Sequence, residues 1–166
     1  MTMAMRLDRE TLRGKTAPQL LLERASTAPD EIAFRSKYRG LYRERRWPAF
    51  ADLVARTAKA FETLGLCAGE RVAIMGDVCE EWVICDLAAQ SMGAIVYGIY
   101  PTASAAEVEY QTRDGGASIF IAGDQEYVDK ILPLADRVPA LRAIIAIDNS
   151  AMFDYAHPKL KSFADL

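Results

Sequence analysis

The most constraining feature of this sequence is a regular alternation between short apolar runs and longer amphipathic stretches. Four apolar runs rich in β-branched side chains fall between residues 71 and 147. They are Arg71–Met75, Ala94–Ile99, Ser118–Ala122 and Arg142–Ile147. Short apolar strands separated by helices are typical of a parallel sheet built from right-handed βαβ units. The sequence therefore predicts an α/β fold, with a parallel sheet of about four strands and helices on both faces.

A β-hairpin is expected before this sheet. Residues 32–38 and 41–47 alternate with a period of two on either side of Arg39-Gly40, where glycine permits a tight turn. The hairpin is basic and has a single acidic residue, Glu44. Its basic residues are Arg35, Lys37, Arg39, Arg43, Arg45 and Arg46. One interpretation is that this basic surface is simply solvated and binds no ligand. The alternative is that it makes peripheral contact with anionic lipid or phosphate.

Two helices flank the hairpin in the predicted order of elements. The first runs from about Pro18 to Ser26, with Thr16 placed to cap it. The second follows Pro48 and carries Phe61 on its apolar stripe. At 166 residues the chain has room for one hydrophobic core. We expect an N-terminal helix and arm over residues 1–28, the hairpin and α/β subdomain over 29–148, and a linker with a truncated helix start over 149–166.

Charge and cysteine usage restrict the partners and the compartment. The chain has 20 basic and 23 acidic side chains, a balance that does not favour nucleic acid. Cys67, Cys79 and Cys85 are an odd number without C-x-x-C spacing, which indicates a reducing, cytoplasmic environment. The single histidine, His157, argues against a Cys/His metal site and a His-assisted nucleophile elsewhere. We therefore predict no catalytic and no metal-binding residue in this segment.

The carboxyl ends of the predicted strands are the expected place for a ligand, because parallel sheets bind there. Most polar residues at these ends are explained as helix caps. Asp77 and Glu80 have the spacing of a capping box for a helix from about Val78, and Ser104 and Glu107 have it for the next helix. No helix cap explains the sequence Tyr100-Pro101-Thr102. Tyr100, Pro101 and Thr102 are therefore the candidate substrate-binding residues. No strand is followed by G-x-G-x-x-G or by a complete phosphate loop, so we expect no cofactor site in this segment.

The end of the sequence suggests an interrupted helix. Ser162-Phe163-Ala164-Asp165 has the spacing of a capping box, and only Leu166 follows it. Together with the missing active site, this pattern leads us to expect a piece of a larger protein.

In order and spacing, several motifs resemble the N-terminal segment of adenylate-forming, AMP-binding enzymes, most closely the long-chain fatty-acid CoA ligases. The resemblance covers Pro29 to Asp165. The motifs that carry it are Gly69-Glu70-Arg71-Val72-Ala73-Ile74, Glu81-Trp82-Val83, Gly93-Ala94, Tyr100-Pro101-Thr102 and Asp114-Gly115-Gly116-Ala117. Two local departures, Arg46-Trp47 and Asp77-Val78-Cys79, leave the preferred acyl chain open.

The resemblance implies a partial N-terminal subdomain of the acyl-CoA synthetase fold. In that family ATP and a carboxylic acid give an acyl-adenylate and pyrophosphate, and coenzyme A then takes the acyl group. The groups that handle ATP, Mg²⁺ and coenzyme A lie downstream of the matched segment, so the resemblance carries no catalytic residue onto this chain. It implies an inactive fragment whose partner is the remainder of the parent enzyme.

Exposed apolar surface on such a fragment leads us to expect a homo-oligomer. Two other hypotheses remain open: a stand-alone flavodoxin-like binding module, and an interaction domain without catalysis.

Overall fold

The computed structural model describes residues 12–166. Part of the predicted N-terminal arm, residues 1–11, lies outside the described residues. The helices are α1 (Ala17–Thr27), α2 (Trp47–Thr63), α3 (Glu80–Ser91), α4 (Ala105–Asp114) and α5 (Gln125–Ile131). The strands are β1 (Ile32–Tyr38), β2 (Leu41–Arg46), β3 (Arg71–Met75), β4 (Ile95–Ile99), β5 (Ala117–Ala122), β6 (Ala143–Ala146) and β7 (Leu160–Ser162). Single 3₁₀ turns cover Leu132–Leu134 and Phe163–Asp165.

Strands β3 to β7 form one parallel sheet in the order β4-β3-β5-β6-β7. The α/β prediction is confirmed, but the sheet has five strands where the sequence predicts about four. The additional strand, β7, pairs Leu160 with Ile144 and Ser162 with Ala146. It lies in the segment expected to be a linker. Three residues centred on Lys161 contain no apolar run, so the sequence pattern does not reveal it.

The core has two layers, one on each face of the sheet. Apolar side chains of α2 and α3 pack on one face, where Phe61 is fully buried with Val72 and Ile74. Side chains of α4 and α5 pack on the other face, where Val108 and Ile131 are fully buried. All residues of β5 are buried because this strand lies between neighbours in the sheet and between the two layers. The expectation of helices on both faces is therefore confirmed.

The hairpin of β1 and β2 is a separate two-stranded antiparallel sheet, as predicted. Its turn places Arg39 at φ 48° and Gly40 at φ 82°, the left-handed region that glycine tolerates without strain. The ring of Phe34 stacks on Phe50 of α2 with 6.0 Å between ring centroids. This contact fixes the base of the hairpin to the body of the protein.

The predicted helix ends are only partly right. Thr16 and Ser104 each accept a hydrogen bond from the backbone N–H three residues on, and both capping boxes are complete. Helix α3, however, begins at Glu80 rather than near Val78, and the expected capping box with Asp77 is wrong. The carboxylate of Glu80 instead binds the guanidinium of Arg45 in the hairpin, so it does not bond back to the helix start.

The expected helix start at the end of the chain is one 3₁₀ turn. The hydroxyl of Ser162 accepts a hydrogen bond from the N–H of Ala164, two residues on, at 3.2 Å. The described helices also include none with the length and apolar character needed to cross a bilayer.

Candidate functional site

The carboxyl ends of the strands lie along one edge of the sheet, where Tyr100, Gly76 and Gly123 follow β4, β3 and β5. Chain connections leave β3 and β5 toward opposite faces, because α3 packs on one face and α5 on the other. Ligands of open α/β sheets bind in the crevice that such a divergence creates. This edge is therefore the place to look for a site.

The crevice between β3 and β5 is closed by protein atoms. A Cβ atom built on Gly76 would lie 2.8 Å from the Cα atom of Gly123. The N–H of Gly123 also donates a hydrogen bond to the carbonyl of Met75 at 2.8 Å. The ring of Tyr127, which is 7% exposed, packs against both glycines. The two backbones and the Tyr127 ring are therefore in close contact at this point of the edge.

Clefts open on either side of the closed crevice. The first has a volume of about 350 Å³ and lies beside β4 and the start of α3. Its lining residues are Ile74, Gly76, Val78, Trp82, Gly98, Ile99, Tyr100 and Pro101. Gly98, paired with Ile74 across the strands, borders open space in this cleft, because a Cβ atom there would meet no atom within 4 Å. The lining is almost entirely apolar and carries no charged group.

Two of the three predicted site residues line this first cleft. Tyr100 is 82% exposed at its mouth, Pro101 lies next to it, and Thr102 is exposed outside the lining. The turn is held in place, because the Ala103 N–H donates to the Tyr100 carbonyl at 2.9 Å. That the three residues bind substrate stays a prediction.

Lys130 connects this turn to α5. Its ammonium group donates to the Pro101 carbonyl at 3.0 Å and to the Glu126 carboxylate at 3.1 Å. The same group lies 5.4 Å from the ring centroid of Tyr127. These contacts give the turn a structural role that does not depend on a ligand.

The second cleft, about 300 Å³, is acidic. Its lining residues are Asp124, Gln125, Glu126, Asp148, Ser150 and Ala151. The Ser150 N–H donates to Asp148 at 2.9 Å and holds the pKa of that carboxyl below its usual range. Burial raises the pKa of the Tyr127 hydroxyl nearby, and the carboxylates of Asp77, Glu126 and Asp124 raise it further. A negatively charged cleft of this kind disfavours phosphate groups.

The carboxylates of the second cleft already serve the local backbone. Asp124 caps α5 by accepting from the N–H of Glu126 at 2.9 Å. Tyr155 donates to Asp129 at 2.6 Å and accepts from Gln125 at 2.7 Å, which anchors the loop after β6 to α5. Within residues 12–166, no three His, Cys, Asp or Glu side chains are grouped so as to hold a metal ion.

The remaining reactive side chains have structural surroundings. Burial raises the pKa of the Cys85 and Cys79 thiols, which keeps both in the unreactive thiol form. His157 accepts a hydrogen bond from the Lys159 N–H at 3.2 Å within its own turn. Neither arrangement pairs a nucleophile with a base.

Sequence reasoning missed the residues that shape the first cleft, Trp82 and Gly98. A glycine inside a strand pattern is a signal for space or for close approach of another group. Which of the two applies at Gly98 depends on its cross-strand partner Ile74, and that register is known only from the structure.

Comparisons with known proteins agree on one family. A family model for AMP-binding enzymes matches residues 21–164. A long-chain-fatty-acid–CoA ligase of Mycobacterium bovis is 28% identical over 131 residues, which are 79% of this chain and 22% of that protein. A long-chain-fatty-acid–CoA ligase of Xenopus laevis is 32% identical over 130 residues, 78% of this chain and 18% of that protein. This chain thus spans about a fifth of the length of these curated relatives.

The fold is also found among solved structures. A Rhodopseudomonas palustris chain assigned as a long-chain-fatty-acid CoA ligase superimposes with a TM-score of 0.77 at 23% identity. The match covers 93% of this chain and 36% of that one. The five-stranded sheet and its helices therefore correspond to one part of a larger α/β architecture.

Proposed function

The chain belongs to the AMP-binding enzyme family, and from this premise we propose that it is the N-terminal portion of an ATP-dependent long-chain fatty-acid CoA ligase. The observation that carries the proposal is the family match over residues 21–164 together with relatives that are long-chain-fatty-acid–CoA ligases. The parent enzyme joins the carboxylate of a fatty acid to the α-phosphate of ATP and releases pyrophosphate. The thiol of coenzyme A then displaces AMP to give the thioester.

Within that enzyme we assign this segment the role of a frame rather than of a catalytic centre. The first cleft carries no charged lining residue, and the second is lined by carboxylates without Lys or Arg. A triphosphate needs cationic or N–H donors converging on it. Neither cleft has such a cationic lining, which supports placing the sites for ATP, Mg²⁺ and coenzyme A in the remainder of the parent enzyme. Unpaired Cys67, Cys79 and Cys85 support a cytoplasmic location.

A chimera tests the proposal directly. Residues 21–164 of this chain would replace the matching segment of the Mycobacterium bovis ligase, and release of pyrophosphate and formation of acyl-CoA would be measured with long-chain fatty acids. We expect a folded, active chimera, whereas the same ligase with the segment deleted is inactive. A chimera that is folded and monodisperse yet inactive would contradict the proposal.

The isolated chain gives the complementary measurement. With ATP, Mg²⁺ and a long-chain fatty acid we expect no pyrophosphate above a protein-free blank, because neither cleft suits a triphosphate. Fatty-acid-dependent release of pyrophosphate would overturn the assignment of this segment as a frame.

A flavodoxin-like binding module is the second candidate, and the strand order favours it. The order β4-β3-β5-β6-β7 is the 2-1-3-4-5 order of that architecture, in which flavin binds where connections diverge. Here that point is filled by Gly76, Gly123 and Tyr127. Equilibrium dialysis with flavin mononucleotide separates the two candidates, since stoichiometric binding would favour the module.

A further inference from the structure

The distal end of the hairpin, residues 37–43, combines positive charge with exposed apolar side chains. We call this segment the hairpin tip. It contains Lys37, Arg39 and Arg43, all exposed, and no acidic residue. Leu41 and Tyr42 are 74% and 71% exposed, so two adjacent large apolar side chains are open to solvent beside the basic ones. Neither the sheet nor the proposed role of this chain explains the combination.

The contacts that hold the hairpin lie at its base. Phe34 stacks on Phe50, and Arg45 binds the buried carboxylate of Glu80. Phe34 and Arg45 are partners in the hairpin register, so both anchors act at the same level. Four further residues of β1 lead to the turn, roughly 13 Å at the usual strand rise. The hairpin tip therefore stands away from the body of the protein.

The charges of the chain are divided between the hairpin and the body. Residues 35–46 have six basic side chains and one acidic one. The whole chain has 20 basic and 23 acidic side chains, so the other residues have 14 and 22. An anionic surface would repel the body and attract the hairpin. Screening at physiological salt acts over ~8 Å, which is less than the reach of the tip, so the tip would dominate at contact.

The hairpin tip has the side-chain chemistry of a membrane interface. Lys37 and Tyr42 are cross-strand partners, and the ammonium group lies 6.0 Å from the tyrosine ring centroid. Tyrosine favours the level of lipid headgroups, and a neighbouring lysine can reach their phosphates. Leu41 follows the turn and is placed to enter the apolar side of that boundary.

We propose that the hairpin tip binds the surface of an anionic phospholipid bilayer. Lys37, Arg39 and Arg43 meet the lipid phosphates, while Leu41 and Tyr42 enter the interface. The contact goes beyond the proposed ligase role, in which this segment acts as a frame. Exposed Leu41 and Tyr42 favour lipid over nucleic acid, which a basic patch alone would also attract.

Vesicle co-sedimentation of the whole chain tests the proposal. We expect binding to an equal mixture of phosphatidylcholine and phosphatidylserine and none to phosphatidylcholine alone. Joint replacement Lys37→Gln, Arg39→Gln and Arg43→Gln should weaken binding on the order of a hundredfold, since each basic residue near such a surface contributes about fivefold. The pair Leu41→Ser and Tyr42→Ser should weaken binding with the charge unchanged.

The matched control removes the same charge elsewhere: Arg56→Gln, Lys59→Gln and Lys161→Gln, three exposed positions away from the hairpin. Circular dichroism verifies that every variant is folded. Equal binding to both vesicles, absence of binding to either, or equal losses in the tip and control variants would each overturn the proposal. A single-stranded oligonucleotide that binds as tightly as the mixed vesicles, with no effect of Leu41→Ser and Tyr42→Ser, would identify a polyanion site instead.

Discussion

Glu70 and Arg142, which precede β3 and β6, join the two strands across the amino end of β5. Their side chains form two hydrogen bonds, of 2.8 and 2.5 Å, in the parallel geometry that arginine offers a carboxylate. Arg142 also donates to the carbonyl of Gly65 at 2.8 Å, just after α2. One ion pair thus links a helix end and two strands that are 72 residues apart in sequence.

This pair makes stability depend on pH. The Arg142 hydrogen bond lowers the pKa of Glu70 to about 2, from 4.5. The ion pair stabilises the fold fully when the pH is above the pKa of Glu70 in the unfolded chain. This stabilisation is lost as the pH falls toward the pKa of Glu70 in the folded chain. We expect Glu70→Gln to cost about 1 kcal/mol at neutral pH, a modest figure because Arg142 is 40% exposed.

Urea melts between pH 7 and the lowest pH at which the chain stays folded measure the difference in free energy of unfolding between the wild type and Glu70→Gln. This difference should shrink below about pH 5. The control is Glu44→Gln, because Glu44 pairs with Arg35 where both side chains are at least half exposed. It should cost less than ~0.5 kcal/mol. A difference for Glu70→Gln that stays constant with pH would contradict the assignment.

Phe61→Ala tests the packing of α2 on the sheet. Phe61 is fully buried and belongs to the apolar cluster that includes Val72 and Ile74. Truncation should cost about 3 to 5 kcal/mol in urea melts, because the lost contacts leave a cavity. Tyr110→Ala, at a position 67% exposed on α4, should change stability by less than ~0.5 kcal/mol. A loss below ~1 kcal/mol for Phe61→Ala would mean that α2 is misplaced.

Local signals were enough for much of this fold. Phe61 could be placed from helical spacing, and the caps at Thr16 and Ser104 from their own neighbours, because each depends on residues within a few positions. The start of α3 could not be placed from local signals, because Glu80 is held by Arg45, 35 residues earlier in the sequence. Strand β7 depends even more on context, since three residues become a strand only against the edge of β6.

The candidate site was predictable only as a location. Parallel strands place Tyr100 at the carboxyl edge, and the structure agrees. Whether that edge is open depends on Gly76, Gly123 and Tyr127, whose close approach joins β3, β5 and α5. Sequence shows glycines at both strand ends, but a glycine after a strand equally indicates an ordinary turn.

Two glycine substitutions test how the edge is built. Gly76 has φ 149°, and a Cβ atom there would lie 2.8 Å from the Gly123 backbone, which cannot move without disturbing β5. Gly76→Ala should therefore cost about 2 to 3 kcal/mol in urea melts. Gly98→Ala is the control, since its Cβ atom meets no atom within 4 Å. That change should be neutral or stabilise by up to ~1 kcal/mol. Equal effects at the two positions would show that the crevice is not closed by these backbones.

Strand β4 provides the last prediction, because within residues 12–166 it has a neighbour on one side only. Ile95 on this strand is 54% exposed, and Val78 and Tyr100 beside the first cleft are 74% and 82% exposed. An open strand edge with apolar side chains is a template for another copy of the chain.

We expect light scattering at micromolar concentration to give a mass above the 18.4 kDa of one chain. Ile95→Lys should lower the scattering mass to that of one chain, because pairing of two β4 edges would bury the lysine side chain. Tyr110→Lys, an exposed position on α4, should not lower it. A wild-type chain that scatters as a single copy would show that the β4 edge does not pair.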